Sequence, residues 1–370
     1  MPKRPTEGGP SPLTLDPEQR HDGTVWASGL SGCDENDGDT QKAKKANGVM
    51  VLNVSEQSPL VKRLSAFMVE RFPPFQPFGV FPLYLAVVES GKALTGMPPR
   101  LLLQDFLGFA AFVALFLMLR VIDDHIDFDH DSAHYPERVL QRDLVTLRHL
   151  AVIGGVCFVV QLVVSLFVDH GFGKVTRWWV VLVAVIALHS WITSRVRPIH
   201  AWLYERRVIY ALTFLPTVAL IALWIAQLGA GGRPLPGTTA WLVGFYALSA
   251  EVVEVGRKSR TPEDERPTVV DYTKPSSSWT RSFGLRGTVA VLVVLGAATA
   301  LIAGALLHEL GSGSRMAYGL LVATQVLPLA ASLRFADGPS RLRAKTVATS
   351  ALVACLLVQL VVGVTLAAGR

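Results

Sequence analysis

A short acidic segment after a long apolar run is the part of the chain best suited to chemistry. The run at 106–119 carries no charge and predicts a helix in lipid. Five aspartates follow within nine residues: Asp123, Asp124, Asp127, Asp129 and Asp131. If the helix continues, Asp124, Asp127 and Asp131 lie at i, i+3 and i+7 on one face, where like charges repel. A bound cation would remove this repulsion, and carboxylate oxygens alone favour a hard ion such as Mg2+.

A second acidic cluster repeats this spacing further along the chain. Glu251, Glu254 and Lys258 stand at i, i+3 and i+7 at the end of another apolar run. Hydrogen bonds between helices of a bundle would also explain the two glutamates. The repeated spacing instead favours two acidic helix ends that face one cavity.

Basic residues accompany both clusters. Arg138 and Arg142 follow the aspartates, and Lys258 belongs to the second cluster. Cations beside carboxylates that hold a metal suit a polyanionic substrate, because the metal bridges carboxylate and phosphate while Arg and Lys neutralise the remaining charge. Basic residues also mark the cytoplasmic side of membrane proteins, but we expect these three to hold phosphate oxygens.

The composition is that of a membrane protein. Of the 370 residues, 51% are hydrophobic and 17% are charged, against about 25% charged in soluble domains. Apolar stretches near the ~20 residues that cross a bilayer predict an all-α polytopic protein with about nine transmembrane helices. The stretches are 76–91, 104–122, 148–168, 177–194, 208–228, 239–256, 287–308, 315–333 and 346–368.

The charge pattern predicts a topology and a pair of regions. Residues 1–57 lack an apolar run of helical length and are expected to form a disordered tail, and 58–370 form the transmembrane domain. Residues 61–72 predict an interfacial helix. Arg and Lys concentrate in the loops after the second, fourth, sixth and eighth stretches, which predicts a multi-pass cell-membrane protein whose N-terminus and acidic clusters are cytoplasmic. The net charge of +6 reflects these loops, so membrane lipid and not nucleic acid is the expected partner.

A calcium loop is excluded by two residues. The pattern of Asp127, Asp129 and Asp131 matches the start of an EF-hand. Ser132 stands where the turn needs glycine, and Arg138 stands where the closing glutamate belongs.

The acidic segment resembles a known motif. Residues 123–131, DDHIDFDHD, resemble the first aspartate-rich motif, NDxxDxxxD, of the UbiA superfamily of intramembrane prenyltransferases, and 135–142, YPERVLQR, resemble its continuation. The resemblance covers about 58–370 and implies a UbiA-like bundle of nine helices with acidic motifs after helices 2 and 6. Asp123 replaces the usual asparagine, and the second motif has Glu251, Glu254 and Lys258 where the family has aspartates.

The resemblance also implies an activity. The enzyme would ionise the allylic C–O bond of an isoprenyl diphosphate with Mg2+ and transfer the prenyl group to a lipophilic acceptor, expected to be aromatic. Asp124, Asp127 and Lys258 would be catalytic, and Arg138, Arg142 and Lys258 would bind diphosphate. The implied metal ligands are Asp123, Asp124, Asp127, Asp131, Glu251 and Glu254.

Three other functions would also use acidic clusters of this kind. The same donor could cyclise internally, as in a UbiA-type terpene cyclase, and the sequence does not separate this from transfer. A cation- or proton-coupled transporter would use paired acids as an ion pathway, but these acids lie at one membrane face and not at the midplane. A CDP-alcohol phosphotransferase also uses aspartates and Mg2+, but its DGxxAR start is absent around 123–131.

Overall fold

A computed structural model describes residues 54–73, 76–196, 198–199, 202–203, 206–261 and 278–368 as helices joined by loops, without strands in these ranges. The tail predicted at 1–57 lies outside the described residues except for 54–57. The helices are α1 Leu60–Arg71, α2 Gln76–Leu94, α3 Leu103–Ile126, α4 Phe128–His134, α5 Leu147–Asp169, α6 Lys174–Arg195, α7 Arg207–Leu212, α8 Leu215–Gly229, α9 Thr239–Arg257, α10 Trp279–Glu309, α11 Arg315–Thr324, α12 Val326–Asp337 and α13 Arg341–Ala368.

Each predicted apolar stretch overlaps with one of these helices or with a consecutive pair. Seven segments of the described chain are long and apolar enough to cross a bilayer. They are Leu103–Ile126, Leu147–Asp169, Lys174–Arg195, Val208–Gly229, Ser282–Glu309, Arg315–Asp337 and Arg341–Leu366. The prediction of a polytopic all-α membrane protein is confirmed, and the number nine is approximate.

Two of the predicted spans are interrupted near prolines. The span at 208–228 divides into α7 and α8, with Pro216 in the first turn of α8, and α11 and α12 meet at Gln325, three residues before Pro328. Proline has no N–H for the helical ladder and its ring crowds the preceding turn, which favours a break. At the first break the Thr213 hydroxyl donates to the Tyr210 carbonyl over 2.6 Å.

The main core closes the middle of the bundle. Helix α3 packs on α5, α6 and α9 pack on α8, and α13 packs on both α2 and α9. Fully buried aromatic side chains, including Tyr84, Phe112 and Trp224, fill the space between them.

A second, smaller core holds the acidic segment. Phe67 of α1 packs with Val121 of α3 and with Val139 and Leu144 of the loop that follows α4. The Val139 backbone N–H donates to the Glu70 carboxylate over 3.1 Å. Helix α1, which the sequence predicted as an interfacial helix at 61–72, is therefore fixed against the end of α3.

Lys92 is the centre of a buried ion network. Although it directly follows the first predicted apolar stretch, 76–91, it lies inside α2 with no exposed surface. Its ammonium donates to Asp105 over 2.7 Å, to Glu89 over 2.8 Å and to the Arg100 carbonyl over 2.9 Å. Three contacts of this kind match the three N–H donors of a lysine.

Lys92→Met should destabilise the fold more than most single substitutions. It leaves the Asp105 carboxylate buried without its cation, which costs about 3–5 kcal/mol. Thermal unfolding in detergent should show a large fall in Tm, whereas Lys174→Met, at an exposed position, should leave Tm nearly unchanged. An equal Tm for the two variants would contradict this role.

Candidate active site

A cavity of about 670 Å³ lies between seven helices and ends at the aspartate segment. It is lined by the C-terminal parts of α3, α6 and α9, by the N-terminal halves of α2 and α8, and by α7 and α13. Most lining side chains are apolar, and the only carboxylates among its described lining residues are Asp123 and Asp127. A cavity of this size and character suits an apolar ligand with one acidic, metal-binding end.

The structure divides the acidic face that the sequence predicted. Asp123 and Asp127 line the cavity and are exposed to it, whereas Asp124 and Asp131 are buried. On a helix, Asp127 is only about 40° from Asp123 but about 60° from Asp124, and Asp131 is about 20° from Asp124. The prediction that Asp124, Asp127 and Asp131 share one face therefore needs correction: α3 also ends at Ile126, so the chain turns at Asp127.

Three arginines neutralise the buried pair. The Arg71 guanidinium bonds Asp124 through Nε over 3.0 Å and Asp131 through Nη2 over 2.9 Å. Arg120 reaches Asp124 over 3.0 Å, and Arg138 reaches Asp131 over 2.6 Å. Burial acts to lower the pKa of Arg71, but its bond to Asp124 and the nearby carboxylates raise it above the ordinary value. The sequence interpretation missed Arg71 because it lies in another helix.

Arg71→Met should weaken the fold around the acidic segment. Asp124 would keep only Arg120, and its Oδ2 already has no hydrogen-bond partner. We expect a loss of about 3 kcal/mol, typical of a buried ion pair that loses one member. Chemical denaturation in detergent should detect it, with Lys62→Met, exposed on the same helix, as the control; equal midpoints would show that Arg71 adds nothing to stability.

The second predicted cluster is turned from the cavity. Glu254 forms ion pairs with Arg257, over 2.6 Å, and with Lys258. Glu251 is buried, and α9 lines the cavity with neighbouring residues such as Ala250 and Val253. The two acidic helix ends do border one cavity, but the described side chains of the second one do not line it.

Arg142, the other predicted phosphate ligand, contacts the N-terminal side of the domain. It is exposed, and its guanidinium donates to the Val54 carbonyl over 3.3 Å. Arg138 differs, because it covers the Tyr135 ring at 3.7 Å while it pairs with Asp131.

The cavity also contains polar side chains that the sequence interpretation did not use. They come from α6, α7, α8 and α9, whereas the lining residues of α2, and those of α3 before Asp123, are apolar. They are His189, Ser190, Thr193, Tyr210, Thr217, Tyr246 and Ser249. A single histidine in an apolar run carries no motif, so only the fold could single out His189.

Comparison with known proteins identifies the fold. No family model and no curated protein sequence matches the chain. A solved structure of digeranylgeranylglyceryl phosphate synthase, a UbiA-superfamily prenyltransferase studied in membranes, matches with a TM-score of 0.54 at 14% identity, over 83% of this chain and 99% of that one. At this identity the likeness concerns the fold. This chain thus shares the fold of that synthase, a helical membrane bundle of the kind that the sequence predicted.

Proposed function

We propose that the protein is a Mg2+-dependent membrane prenyltransferase that ionises an isoprenyl diphosphate and transfers the prenyl group to a lipophilic acceptor. The observation that carries the proposal is one cavity with Asp123 and Asp127 at its end and apolar side chains along its length. A pyrophosphate linked to a hydrocarbon chain has the same two parts. The fold shared with a prenyltransferase supports the assignment.

Two carboxylates suit Mg2+, which binds water and substrate oxygens as well, better than they suit a metal ion whose ligands all come from the protein. Within the described ranges, no group of three or more His, Cys, Asp or Glu side chains could hold a metal. Mg2+ is commonly bound by one or two carboxylates, with water and substrate phosphate completing its octahedron. Asp123 and Asp127 would be these ligands; when bound, the ion would stabilise negative charge on the leaving diphosphate.

The remaining residues have separate parts in this proposal. Asp124 and Asp131 hold Arg71, Arg120 and Arg138 beside the ligand carboxylates. Arg138 is the proposed diphosphate ligand, because its pairing with Asp131 leaves guanidinium N–H groups for phosphate. Lys258 is proposed for the same role, and it would have to share its charge with Glu254.

The apolar walls have a part of their own. They enclose the hydrocarbon chain and exclude water from the allylic cation that forms as the C–O bond breaks.

Purified protein in detergent, incubated with Mg2+ and geranyl, farnesyl or geranylgeranyl diphosphate, tests the function. We expect diphosphate release that requires Mg2+, and a prenylated product when an acceptor is supplied. A hydrocarbon formed without acceptor would identify a cyclase. Donors that stay intact would contradict the proposal and favour transport.

A further inference from the structure

Apart from Asp123 and Asp127, the polar side chains that line the cavity come from α6, α7, α8 and α9, and this set is called the polar wall below. His189, Ser190 and Thr193 of α6 and Tyr210 of α7 belong to it, while the α3 residues above Asp123 are Phe116, Leu119 and Ile122. A prenyl chain has no group that could form hydrogen bonds with these side chains. A second ligand that carries hydroxyl groups could form them.

The proton positions on His189 follow from its partner. His189 Nε2 lies 2.9 Å from Thr213 Oγ1, and the single Thr213 hydroxyl proton is directed to the Tyr210 carbonyl, 2.6 Å away. Thr213 must therefore accept, so Nε2 carries the proton. In a neutral imidazole the other nitrogen, Nδ1, then has a free lone pair and can act as a base.

Aromatic rings surround the same imidazole. The Phe214 ring centroid lies 4.4 Å from that of His189, and the Tyr210 centroid lies 6.4 Å away. Phe214 and Tyr210 also contact each other edge to face, at 5.3 Å. Flat ligands pack well against such rings.

We propose that His189 Nδ1 is the base that accepts the proton of the acceptor hydroxyl, and that this hydroxyl lies at the polar wall. The inference rests on the proposed function and extends it to the acceptor. Thr213 is a positioning residue, because it fixes the protonated nitrogen and the ring orientation. The break before Pro216 places Thr213 where it can do so.

The C–O bond of the donor breaks, and its electron pair leaves with the diphosphate. The acceptor oxygen forms a new C–O bond to the allylic carbon, and its proton passes to His189 Nδ1. The resulting imidazolium gives the proton to water before the next turnover.

The test uses full-length protein, Mg2+, geranyl diphosphate and 1,6-dihydroxynaphthalene as the phenolic probe. Two rates are measured: diphosphate release without the probe, and formation of the prenylated naphthol. In His189→Gln the side-chain amide can still donate to Thr213, but there is no basic nitrogen. We expect adduct formation to fall by about a hundredfold, in the range for loss of a general base, while release without the probe changes less than about threefold.

A second pair of variants tests the positioning role. Thr213→Val should lower the maximal rate of adduct formation with little change in the KM for the probe, and Thr213→Ser should restore it because serine keeps the acceptor oxygen. His308→Gln, exposed near the end of α10, is the matched control and should behave as wild type.

If the wild-type protein releases diphosphate but forms no adduct with the probe, the proposed acceptor subsite is wrong. An adduct formed equally fast by His189→Gln would overturn the role of His189, and equal losses of release and adduct would show a structural role only. If the wild-type protein releases no diphosphate, the proposed function itself is wrong.

Discussion

Asp123→Ala and Asp127→Ala should each lower Mg2+-dependent diphosphate release by about a thousandfold. These carboxylates are the two that line the cavity, and alanine offers no oxygen to Mg2+. Loss of the ion would remove several kcal/mol of charge stabilisation on the leaving group, and about 4 kcal/mol corresponds to this factor. Release of diphosphate from geranyl or farnesyl diphosphate measures it.

Controls on the same segment separate metal binding from folding. Asp129→Asn, at an exposed position outside the cavity lining, should retain the rate. Asp124→Asn should also lose activity, but together with thermal stability, because it removes the buried partner of Arg71 and Arg120. If Asp123→Ala and Asp127→Ala release diphosphate at the wild-type rate, the cavity carboxylates do not hold the metal.

The second large effect concerns the length of the donor. Asp123 and Phe116 lie seven residues apart on α3, or about 10 Å along the helix. Beyond Phe116, on the side away from Asp123, the space is closed. The Phe116 ring meets Phe112 edge to face at 4.8 Å, and Phe112 and Tyr84 are fully buried. With C–C bonds of about 1.5 Å, an extended five-carbon unit covers about 5 Å, so about two units fit. We expect geranyl diphosphate to be preferred over longer donors.

Phe116→Ala should change that preference. Removal of the ring opens space for part of a third unit, and burial of four more carbons at about 0.8 kcal/mol each gives about 3 kcal/mol. The ratio of kcat/KM for farnesyl over geranyl diphosphate should then rise by about a hundredfold. Phe106→Ala, which removes an exposed ring from the same helix, is the control. An unchanged ratio in Phe116→Ala would show that the chain does not end at this ring.

The apolar stretches and the first aspartate cluster could be predicted because both depend on local sequence. A run of about 20 apolar residues has few stable places other than a membrane helix. Even the break after Gln325 has a local signal, since Pro328 follows it.

The partners of the acidic residues could not be predicted because they depend on how distant helices meet. Arg71 lies 53 residues before Asp124, and nothing in α1 marks it as a partner. Offsets of three and four residues are both neighbours on a helix, so the sequence could not decide that Asp127 would line the cavity with Asp123. Lys92 lies at the end of an apolar stretch, where a loop residue is expected, and its burial depends on Asp105 of α3, with which it pairs.

A crystal structure with Mn2+ in place of Mg2+ and geranyl thiodiphosphate, a donor analogue that resists ionisation, tests the central claim most directly. The anomalous signal of Mn2+ should lie in contact with Asp123 and Asp127, with the pyrophosphate beside it and the geranyl chain directed toward Phe116. Manganese bound only at Glu251 or Glu254, or a geranyl chain outside the cavity, would contradict the account.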